Sequence, residues 1–438
     1  MKFHCFNLMP WPHLPEDFHE HNPSVWIDAS AKKFYDPVVG RQVYSDYVEI
    51  LRTADSLGFD SVGVNEHHMN AYGLMPSPNL IAAVLARETT RANLLVLGNS
   101  AALYNPPIRS AEELAMVDVL SGGRLIAGFP IGTAMDSVFS YGQNPATLRD
   151  KYHEAVDLIL KSWAAEDPFA WNGKYYHLPY VSIWPRPVQE PPPVWIPGGG
   201  SMEVWEYCIR RHFVYAYLSF FGLERSRSTL EGYWETVERL GTDRNPYQTA
   251  VVQFVAIADS DAEAERLYGR HAEYFYNNCL HVGAQYGEPA GYMTIPTLRR
   301  NLSRRPPRPA GAASPPQARG PATWSQIVND GWVVAGTAET VRERLAGTIK
   351  TANVANVIVQ PHFGSLPKET ALYNVHRFAA DVMPVLRPTF EEWEDPWATK
   401  PVPPVPPAQA VPAAGPGQAA GAGGAAGGTD QGVGTAVR

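Results

Sequence analysis

Cysteine is scarce: there are three in 438 residues, Cys5, Cys208 and Cys279, an odd number at wide spacing. That pattern excludes a disulfide framework and a paired-thiolate zinc site, and it fits a reducing, cytoplasmic compartment. Basic charge is also short, with 36 Lys and Arg against 44 Asp and Glu and a net charge of −8. A nucleic-acid binder needs a clustered basic face for phosphate contacts, so no nucleic acid is expected as a partner. Long apolar runs are missing too. The opening MKFHCFNLMPWPHLPEDF holds no stretch fit for a signal segment. No window approaches the roughly 18 apolar residues of a membrane span. The expectation is a cytoplasmic, soluble protein without a membrane partner. Apolar residues at 45% and aromatics at 11% nevertheless supply a large core.

Proline and glycine, at 40 and 36, are plentiful and unevenly placed. Residues 401–438 hold seven Pro, nine Gly and ten Ala with no aromatic residue. Such a segment cannot bury enough apolar area to offset its ordering entropy. The chain therefore divides into a folded domain over residues 1–390 and a Pro/Ala/Gly-rich disordered tail over 391–438. A second biased stretch, Arg304 to Pro321, reads as a long internal loop, either a functional lid or a passive insertion. The excursion from Pro10 to Gly40 carries Trp11, Phe18, Trp26, Phe34 and Tyr35. These aromatics are too many for a solvated loop, so it should pack on the body.

Between these segments run eight short apolar or β-branched stretches: 2–7, 61–65, 94–98, 124–129, 194–197, 214–219, 249–257 and 356–360. Helical periodicity fills most of the gaps, for example over 42–57, 111–120, 148–164, 202–211 and 338–350. Thr337 is placed to cap the last of these, and Gly58 and Gly241 to close earlier ones. Alternating strands and helices imply parallel strands with right-handed crossovers. Eight units predict a closed (β/α)8 TIM barrel. The alternative, an open doubly wound sheet, wants a Gly-rich turn after its first strand. The sequence NLMPWPH has none.

A parallel barrel builds its site at the C-terminal strand ends. Those ends carry Asn7 and Met9, then Glu66, His67 and His68, Asn99 and Ser100, and Pro130, Gly132 and Thr133. The later ends carry Gly198, Gly199, Gly200 and Ser201, then Ser219, Gln360 and His362. The set is polar, mostly uncharged and glycine-rich, as suits a large neutral or anionic ligand rather than a metal. The Glu-His-His run offers an imidazole for proton transfer, with Glu66 orienting the loop. The bland reading is a His pair bonded to loop backbone. A metal site would want paired ligands on the first strand, where only His4 stands. PGGGS at 197–201, before a helix, is a natural phosphate cradle or simply a flexible turn. Asn99 and Ser100 could support a planar ring or merely cap their loop.

Six segments, taken together and in order, resemble the luciferase-like, flavin-dependent monooxygenase family. They are GFDSVGVNEHH at 58–68, SGGRLIAGFPIG at 121–132, KYHEAVDLIL at 151–160, PVWIPGGGS at 193–201, AGTAETVRERL at 335–345 and FAADVMPVLR at 378–387. The resemblance spans about residues 1–390 and implies a (β/α)8 barrel that binds reduced FMN (FMNH2), or in some branches F420, at its mouth. It implies His67 and His68 beside the flavin as catalytic residues. It also implies Asn99, Ser100 and Thr133 near the cofactor, Gly198 to Ser201 on its phosphate, and no metal. By the same resemblance, a separate NAD(P)H:flavin reductase supplies the reduced flavin. O2 and a small-molecule organic substrate react, and the chain forms a homo-oligomer. Where bacterial luciferase has a reactive cysteine and an adjacent arginine, this chain has Pro130 and Ile131. Light emission is therefore not expected, and phosphate binding should lean on the glycine turn. The alternatives are an F420-dependent oxidoreductase and a non-catalytic flavin-binding paralogue. The segment from about Gln285 to Pro321 corresponds to the family's mobile loop.

Overall fold

The computed structural model describes residues 1–403 apart from 28, 219 and 304–320. Its strands, in chain order, are β1 (Lys2–Phe6), β2 (Ser61–Val64), β3 (Asn93–Val96), β4 (Leu125–Gly128), β5 (Phe169–Asn172), β6 (His177–Val181), β7 (Val194–Gly198), β8 (Val214–Tyr217), β9 (Thr249–Ile257), β10 (Val333–Gly336) and β11 (Asn356–Gln360). Eight of them close a parallel barrel in the order β1-β2-β3-β4-β7-β8-β9-β11, with β11 returning to β1 through pairs such as Phe3↔Val357 and Cys5↔Val359. These are the eight stretches expected from sequence. Their near-continuous apolar character reflects burial on both faces, one by the barrel interior and one by helices.

Three strands lie outside that set. Parallel β10 extends the sheet from the far edge of β9, and β5 and β6 form an antiparallel hairpin between β4 and β7. The hairpin alternates half-buried and exposed residues and offers no buried run. The sequence pattern passed over β10, Val333–Gly336, which runs directly into the Thr337 helix cap.

The helices start and stop where local chemistry dictates. Asp36 accepts from the Val38 and Val39 amides to cap Pro37–Ser56, and Thr337 accepts from Thr340 to cap Ala338–Ala352. Helices Leu148–Ala164 and Met202–Arg211 run over the predicted residues. The excursion from Pro10 to Gly40 packs as expected, with Trp11, Phe18 and Trp26 buried and a bridge from Ser24 to Val282.

The N-terminal end of the barrel is sealed. His4 bonds Ser61 at 2.8 Å and Asn356 at 3.2 Å across three neighbouring strands. Residues 391–402, assigned from sequence to the tail, pack beneath them. Trp397 donates to the His212 carbonyl at 2.7 Å, Thr399 to Asn93 at 2.7 Å, and the Val402 amide to Gly122 at 2.9 Å. The compact unit accordingly runs from Met1 to Val402. The remaining tail from 404 onward, Ser219, and Arg304–Gly320 of the expected loop lie outside the described residues.

Candidate active site

The C-terminal ends of β2 and β4 bring together groups far apart in sequence. His67, just past β2, places Nδ1 2.8 Å from Asp136 Oδ2. Asp136 lies in a helical turn beyond β4, Met135–Ser140. Its other oxygen accepts from the His68 amide at 2.8 Å and from the Trp26 indole at 3.3 Å. The Thr133 hydroxyl donates to Oδ2 at 2.7 Å. Burial by itself would raise the Asp136 carboxyl, but the His67 charge and these hydrogen bonds outweigh it and hold the group below the usual carboxylate range. The rings of Tyr72, at 4.6 Å, and Trp26, at 5.8 Å, stand edge-on to His67 and shield it from water.

His68 is engaged at both nitrogens, Nε2 with Glu66 Oε1 at 3.0 Å and Nδ1 with the Tyr141 hydroxyl at 3.2 Å. Glu66 Oε2 in turn accepts from Tyr104 at 2.7 Å and from the Asn99 amide at 3.3 Å. Burial, reinforced by the adjacent Glu66, pushes the Tyr104 phenol well up, so it stays a donor. Asn99 also accepts from Ser110 at 3.1 Å. Its side chain is thus committed to the barrel, and what it leaves for a ligand is backbone. Ser100 is buried, with its hydroxyl facing Gly132.

Beyond β7 a cavity of about 630 Å³ opens, within the usual range for small-molecule sites. Gly198–Ser201 form one wall and residues between Gly287 and Arg300 form the other. Gly132, in the loop after β4, accepts through its carbonyl from Tyr292 of the cavity wall at 2.5 Å, while His67, His68, Asn99 and Asp136 are not among the residues that line this cavity. Gly200 needs its glycine, at φ +99°. A Cβ built on Gly199 meets nothing within 4 Å, so that stretch of backbone borders open space.

The sequence expected the amides of the helix starting at Met202 to be open to an anion. Part of that terminus is already taken. The Glu203 carboxylate accepts from Ser201 at 2.9 Å, from Thr297 at 2.9 Å, and from Thr294 through a short bond. The Met202 amide reaches Thr297 at 3.2 Å. Glu203 stays ionised: burial raises it, but the Thr294, Thr297 and Ser201 hydroxyls lower it by more. Positive charge comes instead from Arg149, in the first turn of Leu148–Ala164. Its Nη2 lies 3.4 Å from Ser201 Oγ. Its Nη1 is enclosed without a hydrogen-bond partner, and Arg149 forms no ion pair among the described residues. Arg300 lines the opposite wall, over the Trp205 ring at 4.6 Å. An orphaned guanidinium nitrogen facing an open glycine turn fits a phosphate-bearing cofactor.

Asp136, Arg149, Trp26 and Glu203 were not legible as site residues. Each sits in a helix or loop rather than at a strand end. The one available signal was Asp136 itself, the sole acid in GFPIGTAMDSVF. His4, His362 and Gln360 turn inward to hydrogen bonds within the barrel. Among the described residues no three His, Cys, Asp or Glu side chains stand close enough to hold a metal ion, and no helix is long and apolar enough to cross a membrane.

The chain is similar in sequence and fold to several known proteins. The oxygenase component of the flavin-dependent trigonelline monooxygenase of Acinetobacter baylyi is 30% identical over 162 residues, 36% of this chain and 43% of that protein. Limonene 1,2-monooxygenase of Rhodococcus erythropolis is 33% identical over 143 residues, 31% of this chain and 37% of that protein. An F420-dependent glucose-6-phosphate dehydrogenase of Amycolatopsis mediterranei is 30% identical over 167 residues, 36% and 48% respectively. Each match spans less than half of the relative. In fold, the oxygenating constituent of 3,6-diketocamphane monooxygenase from Pseudomonas putida, solved with FMN, superposes with a TM-score of 0.64 at 19% identity, covering 88% of this chain and 98% of that one. A sequence profile described as luciferase-like monooxygenase matches residues 20–354. With that profile spanning most of a closed parallel barrel, the chain belongs to the luciferase-like monooxygenase family.

Proposed function

We propose that this protein is the oxygenase component of a two-component monooxygenase, taking reduced FMN from a separate reductase and using O2 to oxygenate a small organic substrate. The observation that carries the reading is a cavity that holds a glycine turn and an orphaned arginine nitrogen, on a barrel whose strand ends also carry a buried histidine–carboxylate pair. Gly199 to Ser201 and Arg149 would hold the phosphate, where charge-assisted hydrogen bonds from the guanidinium add to the backbone cradle. When bound, reduced FMN supplies the electrons that activate O2. The protein's own part is to bind, to exclude water and to manage protons. His67 moves a proton at the mouth through Nε2, the nitrogen left open by its bond to Asp136. Trp26 and Tyr72 keep that nitrogen's surroundings dry. His68, tied at both nitrogens, holds the loop.

The second reading, hydride transfer with F420, is supported by the glucose-6-phosphate dehydrogenase relatives. Anaerobic titration with FMNH2 and with reduced F420, followed by admission of oxygen and mass analysis of products, separates the two. Tight FMNH2 binding and oxygen-dependent product formation are expected. Binding of reduced F420 alone, with no oxygen consumption, would replace the reading.

A further inference from the structure

Asp136 is a buried carboxylate, 1% exposed, surrounded by four donors from three places in the chain. Trp26 comes from the excursion after β1, His67 and the His68 amide from the β2 loop, and Thr133 from the β4 loop. An ionised carboxylate only accepts hydrogen bonds. The His67 nitrogen 2.8 Å from it must therefore be the donor, which puts a proton on Nδ1 and leaves Nε2 with its lone pair when the ring is neutral. The ring cannot turn over without parting Nδ1 from the carboxylate, and Tyr72 and Trp26 stand against its edges. His68 offers no such nitrogen.

We infer that Asp136 is a positioning residue that fixes His67 as the Nδ1–H tautomer, presents Nε2 to the mouth as the basic nitrogen, and steadies the imidazolium formed when Nε2 takes a proton. The inference deepens the proposed function and rests on it for its role in turnover. The tautomer itself is independent of any cofactor. Thr133 gains a meaning different from the one its strand-end position suggested. It shares Oδ2 with His67, so its hydroxyl draws on the same lone-pair density that holds the imidazole. The ionisable groups around His67 are Asp136 from the β4 loop, Tyr72 and the His68–Glu66 pair from its own loop, and Tyr141 beyond His68. Asp136 is the one in contact with a His67 ring nitrogen.

The test is NMR of the full-length chain at a pH where its histidines are neutral, labelled with ¹⁵N and ¹³C in the histidines and without added flavin. The His67 signal is assigned by its loss in His67→Gln. The expected wild-type signature is Nδ1–H with a bare Nε2. Asp136→Asn should move the proton to Nε2, because the Asn amide donates where the carboxylate accepted. Asp136→Glu should restore the wild-type tautomer in part. Thr133→Val, which leaves Oδ2 to His67, should keep the proton on Nδ1. An Nε2–H tautomer in the wild type or in Thr133→Val, or an Nδ1–H tautomer kept in Asp136→Asn, overturns the inference. Should Asp136→Asn fail to fold, the tautomers of the wild type and of Thr133→Val decide. Absence of reduced-flavin binding in the wild type would instead remove the proposed function and leave the tautomer as it is.

Discussion

At the residue scale, the two adjacent histidines divide by what their nitrogens touch. His67 has Nδ1 on Asp136, whereas His68 has both nitrogens held inside the loop. His67→Ala is expected to lower product formation per unit time by roughly 10²-fold to 10⁴-fold with melting temperature little changed. His68→Gln should act mainly on melting temperature and flavin affinity. Equal activity in wild type and His67→Ala would remove His67 from proton transfer. Arg149 supports a second expectation. Arg149→Ala should weaken FMNH2 binding roughly tenfold or more, as for a lost charge-assisted hydrogen bond, while leaving reduced riboflavin, which has no phosphate, within about twofold. Anaerobic titration of both flavins checks it, and parallel losses would place Arg149 elsewhere than on the phosphate. The histidines and the glycine turn are legible in the sequence because they follow recognisable strands. It could not pair His67 with Asp136 or Ser201 with Arg149, because both pairings depend on where a following helix returns to the barrel.

At the element scale, helix Ile295–Ser303 is fastened across the cavity by one carboxylate. Glu203 accepts from Thr294, Thr297 and Ser201 at once, so the wall and the phosphate turn share an anchor. Glu203→Ala should loosen that wall. Limited trypsin digestion, with fragments mapped by mass, should then show faster cleavage after Arg299 and Arg300, and reduced FMN should dissociate several-fold faster. Wild-type cleavage rates at both sites would show that the helix is held by other contacts. The described part of the segment expected to act as a lid thus forms a wall of the cavity in this structure. Neither the composition nor the periodicity of residues 285–303 points to Glu203, whose three partners lie in two separate elements.

At the scale of the whole molecule, buried histidines at the two ends of the barrel, His4 in β1 and His362 beyond β11, set its acid limit. Burial holds His4 down at about 4, against an ordinary value of 6.5, and does the same to His362. A histidine whose folded pKa is depressed binds its proton more readily in the unfolded chain, so its contribution is complete above about pH 6.5 and is lost as pH falls toward 4. Each withdraws up to about 3 kcal/mol across that window. Melting temperature should therefore fall steadily between pH 6.5 and 4.5, and less steeply in His4→Asn. A flat profile over that range would show that both rings find water or a partner when charged. The sequence by itself determined the eight barrel strands and the principal helices, because a fold buried on both faces must write its apolar runs and its caps locally. It likewise determined the polar character of the strand ends, where parallel strands leave their C-termini open to a ligand. Tertiary structure alone decided the rest. Trp397 packing beneath the barrel, Trp26 and His67 converging on Asp136, and Glu203 bridging to Thr294 and Thr297 are contacts between residues far apart in the chain. No local periodicity or spacing records them, because they form only where the closed barrel brings its loops to a common end.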